Sequence, residues 1–165
     1  MIVIRPIDPR EHAQVAELLV RAYGAVPDFE LHPDYEPTLR DIAARTIDSV
    51  VLVAEADGVL VGSVTYVPGR GRDFEFDLDD TASMRMLGVV PESSGRGVGT
   101  SLVRWCIDAA QAAGRLRIAL HTERAMRGAQ HMYASLGFRR APEFDWEPLP
   151  GVELLAYVLD LSATT

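Results

Sequence analysis

The sequence predicts a mixed α/β domain with a largely antiparallel first half, and three stretches carry that expectation. Residues 50–55 and Val59–Val67 are β-branched, apolar runs on either side of Asp57-Gly58, a strong two-residue turn signal, so they form an antiparallel hairpin. A further β-rich run, residues 82–90, leads without a break into a glycine-dense turn and an amphipathic helix. After that helix, a strand, a second helix and a final strand follow in alternation. At 165 residues the chain is long enough to bury one proper core. Neither an internal repeat nor a linker divides it, so residues 1–165 are expected to form a single domain.

In chain order, residues 2–5 make a short opening strand. Asp8, Pro9 and Glu11 supply a helix start: a capping carboxylate, proline at the first helical position, and a glutamate three residues after the cap. Ala13, Ala16, Leu18, Leu19 and Ala22 continue at helical spacing until Gly24 ends the helix. Residues 25–37 are irregular, with Phe29, Leu31, His32 and Tyr35 set among prolines and acids. Such a loop either pins itself to the surface or forms a substrate-facing lid. Residues 38–47 return to helical character, and Gly62 inside the hairpin's second strand points to a bulge or a close neighbour. Residues 69–80 alternate Asp73, Glu75, Asp77 and Asp79 with Phe74, Phe76 and Leu78. That pattern reads either as a solvated strand edge or as an acidic rim that attracts an amine, near a strand end in both cases. Val98, Leu102, Trp105, Ala109 and Ala113 share one helix face, and Gly114 stops that helix. Residues 117–122 form a strand, 125–136 a helix ending at Gly137, and 153–161 a last strand after the proline-rich 148–151.

The turn itself, Gly95, Arg96, Gly97, Val98, Gly99 and Thr100, puts bare backbone where a helix begins. The first four amides of a helix lack partners within it, and the aligned peptide dipoles add about half a positive charge, so this is a phosphate-binding turn. A dinucleotide fingerprint would need a third glycine, which is replaced by Thr100 counting from Gly95 and by Leu102 counting from Gly97. The turn also follows several strands instead of closing the first.

Composition narrows the chemistry. A net charge of −8 disfavours nucleic-acid partners, whose phosphates need clustered cations. All 16 basic residues are arginine, which removes a Schiff-base lysine and the lysine of a Walker-type loop. Cys106 is the only cysteine and sits in an apolar helical pattern, as a packed thiol does. His12, His32, His121 and His131 have no close ligand spacing, so no metal is expected. No apolar run approaches the ~20 residues of a membrane span, and the first ten residues do not look like a signal peptide. A cytoplasmic chain without a membrane partner is the expectation.

Two segments and their spacing resemble the GCN5-related N-acetyltransferase (GNAT) superfamily. MLGVVPESSGRGVGTSLV, residues 86–103, is similar to the family's acetyl-coenzyme A motif, and AQHMYASLGFRR, residues 129–140, to its Ala, Tyr, Leu-Gly-Phe signature. One helix and one strand fill the interval, and the resemblance covers about residues 84–140. It implies a mixed, mostly antiparallel central sheet with a bulged strand and splayed central strands, flanked by helices, with acetyl-CoA as acyl donor and no metal. Leu87, Gly88 and Val89 would pair with the pantetheine arm as an added strand does. Ser94, Gly95, Arg96, Gly97, Val98, Gly99 and Thr100 would surround the pyrophosphate, with Met126 and Ala129 also on the cofactor side. The family usually has Gln or Arg at the position of Ser94 and Asn at that of Met126, so side-chain contacts to the donor are thinner here. That departure keeps a second reading open, a non-catalytic acyl-CoA-binding or sensing module. Acetylation of aminoacyl-tRNA is disfavoured by the net charge.

By the same resemblance, Tyr133 matches the tyrosine that protonates the departing sulfur; the bland alternative is a core tyrosine with a bonded tip. His121 ends the strand after the turn helix, twelve residues before Tyr133, where relatives similar to ribosomal-protein N-terminal acetyltransferases hold a catalytic glutamate. It is the first candidate for general base, since imidazole titrates near neutrality. Glu123, Glu75, Asp77, Glu30 or a water chain are the alternatives, and a histidine merely satisfied at a strand end is the bland one. The acceptor is a small-molecule or peptide amine set by residues 25–37 and 69–80. The apolar residues 154–161 would permit a homodimer through the late strands.

Overall fold

The computed structural model describes residues 1–161; residues 162–165 of the expected domain lie outside it. In chain order the elements are β1 (Ile2–Pro6), α1 (His12–Gly24), α2 (Glu36–Arg40), α3 (Ile42–Arg45), β2 (Val50–Ala56), β3 (Val59–Val67) and β4 (Thr81–Val89). They continue with α4 (Val98–Ala112), β5 (Arg117–Glu123), α5 (Arg127–Ser135), β6 (Arg139–Arg140), β7 (Trp146–Leu149) and β8 (Val152–Asp160). The strands form one sheet in the order β1-β2-β3-β4-β5-β8-β6, with β7 also paired to β8. Every pairing is antiparallel except β4 with β5.

The β2–β3 hairpin turns on Asp57 and Gly58, both in the left-handed region at φ 51° and 81°, as a tight hairpin turn requires. The helix start at Asp8 is a true capping box, with Asp8 accepting from the Arg10 amide and Glu11 from the Asp8 amide. Its first turn, Pro9–Glu11, is a 3₁₀ turn that runs into α1. Gly24 is the last helical residue of α1, not a left-handed stop, whereas Gly114 and Gly137 do end α4 and α5 with φ 73° and 96°.

Three expectations are corrected. Residues 38–47 are two short helices, because Asp41 leaves helical geometry (ψ 73°) and caps the second through the Ala44 amide. The buried Arg45 guanidinium takes up the carbonyls of Thr38, Leu39 and Asp41 and bonds Thr65 Oγ1. The segment before the last strand is not only loop: Trp146–Leu149 pairs with β8, and Pro148 is tolerated because β7 lies at an edge. Residues 69–80 form no strand. Asp73 is buried on Ser49 Oγ, Asp77 and Asp79 pair with Arg70, and Phe74, Phe76 and Leu78 pack with Ala119, Ala141, Ala156 and Phe144.

The sheet's centre is irregular. Ser63 and Thr65 of β3, two residues apart, face Gly88 and Arg85 of β4, three apart, so β4 carries one extra residue. Met86 sits in that bulge with φ 58°. Parallel pairing of β4 with β5 runs only from Thr81↔Arg117 to Met84↔Leu120. Beyond it β4 departs, while β5 stays paired to β8 through Glu123↔Leu154. The two central strands therefore splay.

Helices clamp the splay from both faces. A Cβ on Gly62 would lie 3.0 Å from Val98 Cγ1 and 3.2 Å from Leu102 Cδ1 of α4. One on Gly88 would lie 2.9 Å from Leu19 Cδ2 and 3.1 Å from Ala22 Cβ of α1. Gly88 pairs with Ser63, the neighbour of Gly62, and successive strand residues point to opposite faces, so α1 and α4 cover opposite faces. Leu155, Ala156, Val158 and Leu161 are buried within this chain, and β8 has strand partners on both sides. No helix among the described residues is long and apolar enough to cross a membrane.

Gly88→Ala should lower stability by about 1–3 kcal/mol, the usual penalty for overfilling a packed core. The check is urea or thermal unfolding; wild-type stability would show that α1 has room to move away from β4.

Candidate active site

The splay opens onto two depressions that meet. The larger, about 650 Å³, is lined by Leu87, Gly88, Val89, Pro91 and Ser94 on one side and by residues 125–129 on the other, with Ala22, Tyr23 and residues 25–27 closing one end. The smaller, about 140 Å³, is lined by Tyr23, Phe29, His32, Tyr35, Glu75, residues 83–86, residues 121–123, Met126 and the β7–β8 hairpin. Tyr23 and Met126 belong to both. Between them, Tyr133, Ala129, His121 and Thr122 line a narrow junction with residues 84–87.

In the large groove, Leu87, Gly88 and Val89 lie past the last β4–β5 pair, so their β5-facing edge has no strand partner. Ser94 ends the groove, and the turn follows it. Gly95 and Gly97 have φ 76° and 81°, and an added Cβ would meet nothing within 4 Å, so both are glycine for backbone conformation and face open space. Gly99 differs: its Cβ would come 3.3 Å from Met132 Sδ, so it lets α4 approach α5. The first α4 turn closes with Ser101 N donating to the Gly97 carbonyl, leaving the Val98, Gly99 and Thr100 amides without partners in the helix. Arg96 lines a separate surface depression with Gln14, Glu17 and Arg21. The site thus fits a polyanion-bearing donor through backbone amides. Ser94 is the one side chain of the turn that lines the groove, and Met126 caps the junction with Thr122 Oγ1 bonded to its sulfur at 3.6 Å.

In the smaller pocket, His121 Nε2 lies 2.8 Å from the Phe144 carbonyl. A carbonyl only accepts, so Nε2 carries the proton and Nδ1 holds the lone pair in the neutral ring. Nδ1 is buried and has no hydrogen-bond partner among the described residues. The ring stacks on Phe76, centroids 4.3 Å apart and 3° from parallel. Burial pushes the His121 pKa below the usual value, with the Phe144 carbonyl and Glu75 opposing. Burial raises the Glu123 carboxyl above the usual range. Tyr133 is 5% exposed, and burial raises its phenol far above the usual range, so it is protonated throughout neutral pH. Burial likewise raises the Cys106 thiol, which packs in the core away from the groove.

The loop of residues 25–37 does two things at once. Phe29 packs edge-on against Tyr23, centroids 5.9 Å apart, and with His32 and Tyr35 it forms one pocket wall. The acidic run contributes only Glu75 to the pocket lining; Asp77 is spent on Arg70, and Glu30 is not among the lining residues. Reading the sequence for motifs missed Arg85, which enters the pocket from β4, and Phe76, which orients His121. The signal for Arg85 was a lone charge inside the apolar run of residues 82–90.

Residues 12–138 match the acetyltransferase (GNAT) family. The chain belongs to that family. Over 96 residues it is 36% identical to mycothiol acetyltransferase of Nocardia farcinica, a match spanning 58% of this chain and 27% of that protein. The chain therefore matches only about a quarter of that relative's length. A GNAT acetyltransferase from Staphylococcus aureus Mu50 shares the fold with TM-score 0.78 at 17% identity, covering 98% and 99% of the two chains. The yncA acetyltransferase of Salmonella typhimurium, solved with acetyl-CoA, does so with TM-score 0.70 at 24% identity over 99% and 96%. The GNAT assignment and its mixed, mostly antiparallel, splayed sheet agree with the expectation from the two motifs.

The depressed His121 pKa has a definite sign. Neutral His121 contributes stability that is fully present above the unfolded value near ~6.5 and is lost as pH falls through the lower folded value. Wild-type unfolding midpoints should therefore drop from about pH 7 to about pH 5, and His121→Gln should flatten that drop. Equal slopes in the two proteins would show that His121 is not the titrating group.

Proposed function

We propose that this acetyltransferase takes acetyl-CoA as donor and passes the acetyl group directly to the nitrogen of a small-molecule or peptide amine. The observation that carries this reading is the junction. A groove edged by free backbone meets a separate small pocket at one point, and there a buried base nitrogen and a buried phenol stand together. Acetyl-CoA supplies the activated thioester. The Leu87–Val89 backbone edge would hold the pantetheine amides, and the Val98, Gly99 and Thr100 amides with the α4 dipole would hold the pyrophosphate.

His121 Nδ1 would accept the proton that the acceptor nitrogen sheds as its bond to the acetyl carbon forms. Its low pKa keeps the lone pair available at neutral pH, and the Nε2 bond to Phe144 fixes the ring. Tyr133 would donate a proton to the sulfur as the carbon–sulfur bond breaks; burial keeps the phenol protonated. Glu123, partly buried at the end of β5, is the second carboxyl within reach of an ammonium in the pocket. Positioning and oxyanion stabilisation would carry most of the acceleration, with acid and base work adding about 10²- to 10⁴-fold.

Thioester consumption with an amine panel tests the reading. Turnover with at least one amine is expected, while calorimetric acetyl-CoA binding without any turnover would make the chain an acyl-CoA-binding module. Tyr133→Phe should lower kcat by about 10²-fold or more with little change in acetyl-CoA affinity. Wild-type kcat in that variant would remove the acid role.

A further inference from the structure

Arg85 is the anomaly of the acceptor pocket. It lines, from β4, a cavity whose apolar wall is Tyr23, Phe29, Met84, Met86 and the β7–β8 hairpin and whose other polar groups include Glu75, His121 and Glu123. Its Nε is fully buried and has no hydrogen-bond partner among the described residues. The nearest carboxylate, Glu75 Oε1, stands 3.6 Å from Nη2, well outside the ~2.7–2.9 Å of a charge-assisted hydrogen bond. Both side chains are largely covered, at 19% and 26% exposure. A buried cation is normally paired and hydrogen-bonded, because desolvating it is expensive. Arg45 shows the rule in this same fold, with its guanidinium bonded to Thr65 and backbone carbonyls. Arg85 is held instead by Glu75 and the Tyr35 hydroxyl, which leaves Nε unfilled on a guanidinium that lines the pocket.

Its place in the sheet says what that pocket would take. Met84 and Leu120 are the last pair of the β4–β5 ladder, so Arg85 and His121 are the next residue on each strand, at the mouth of the splay. Adjacent strands lie ~4.8 Å apart there before they diverge. An acceptor reaching both the His121 side and the Arg85 side therefore carries a nucleophilic nitrogen and an anionic group close together in one small molecule. The planar guanidinium fork matches a carboxylate. Tyr35, beside the guanidinium, adds a hydroxyl, and Glu75 and Glu123 give the pocket the opposite sign for an ammonium.

We infer that the acceptor is a free α-amino acid with an apolar side chain, its carboxylate bound by Arg85 and its amine presented to His121. This deepens the proposed acyl transfer and rests on it. Arg85 is thus the residue that selects acids over neutral amines, and the aromatic wall of Tyr23 and Phe29 receives the side chain.

The test compares L-leucine and L-phenylalanine with their carboxamides, in wild type and in Arg85→Gln, by acetyl-CoA consumption. Wild type should favour the acid over the amide in kcat/KM by about 10- to 100-fold, the value of one charge-assisted contact. In Arg85→Gln that ratio should fall toward one, mainly through KM, and Arg85→Lys should restore part of it. Wild-type turnover of the amides at equal or higher efficiency would overturn the inference and leave acetyl transfer intact. The acid-to-amide ratio in wild type needs no variant, so a folding defect in Arg85→Gln does not obscure it. If no amine is turned over, calorimetry with L-leucine and L-phenylalanine decides: binding by wild type and not by Arg85→Gln upholds the carboxylate site while acetyl transfer fails. No binding overturns the site as well.

Discussion

A single extra residue in β4 is the constraint on which the rest of the structure depends. Met86, a residue with a long side chain, is held at φ 58°, a conformation that costs about 1–3 kcal/mol outside glycine. It persists because its surroundings over-determine it. Met86 is buried, Gly88 beyond it is pinned under α1, and β3 resumes its ladder on the far side of the bulge. Turning β4 away at this point ends the parallel ladder and creates two unlike surfaces from one defect. The β4 side offers free backbone to an extended ligand, and the β5 side offers side chains, with His121, Thr122 and Glu123 along one strand end. A regular sheet would have paired the first and buried the second.

Net charge describes this molecule poorly at the scale of its site. A chain of charge −8 would be expected to repel phosphates, yet the start of α4 presents unpaired amides and a helix dipole, which act at contact distance and need few cations. The acidic run that looked like a lure for amines is mostly neutralised. Arg70 takes Asp77 and Asp79, Ser49 takes Asp73, and only Glu75 reaches the pocket. There it stands beside the cation Arg85, with Glu123 also in the lining. Short-range geometry thus sets the charge around the pocket, because ion pairing neutralises most of the run and salt screens exposed charges beyond ~8–10 Å.

Much of the fold was legible because it is set by neighbours in sequence. The hairpin follows from Asp57-Gly58, the start of α1 from the Asp8 capping box, and the ends of α4 and α5 from Gly114 and Gly137. The glycine turn was legible too, although its three glycines proved to act differently: two for left-handed backbone, the third for helix packing against Met132. Errors came where a distant group outweighed local preference. Residues 38–47 break at Asp41, where the Arg45 guanidinium, tied to Thr65 of β3, takes up the carbonyls, and residues 146–149 become a strand because β8 offers an edge.

What the sequence determined by itself, then, is the order of the main elements, the glycine turn at the start of α4 and the family, since each depends on residues close together along the chain. What only the tertiary structure decided is how the site is assembled. The tautomer of His121 depends on Phe144, its ring orientation on Phe76, and the setting of Arg85 on Glu75 and Tyr35. These partners come from separate segments, and the bulge that brings them together occurs at a methionine, a residue with no local preference for it. Backbone geometry of that kind is imposed by packing, so it is written in the fold and in no single stretch of the chain.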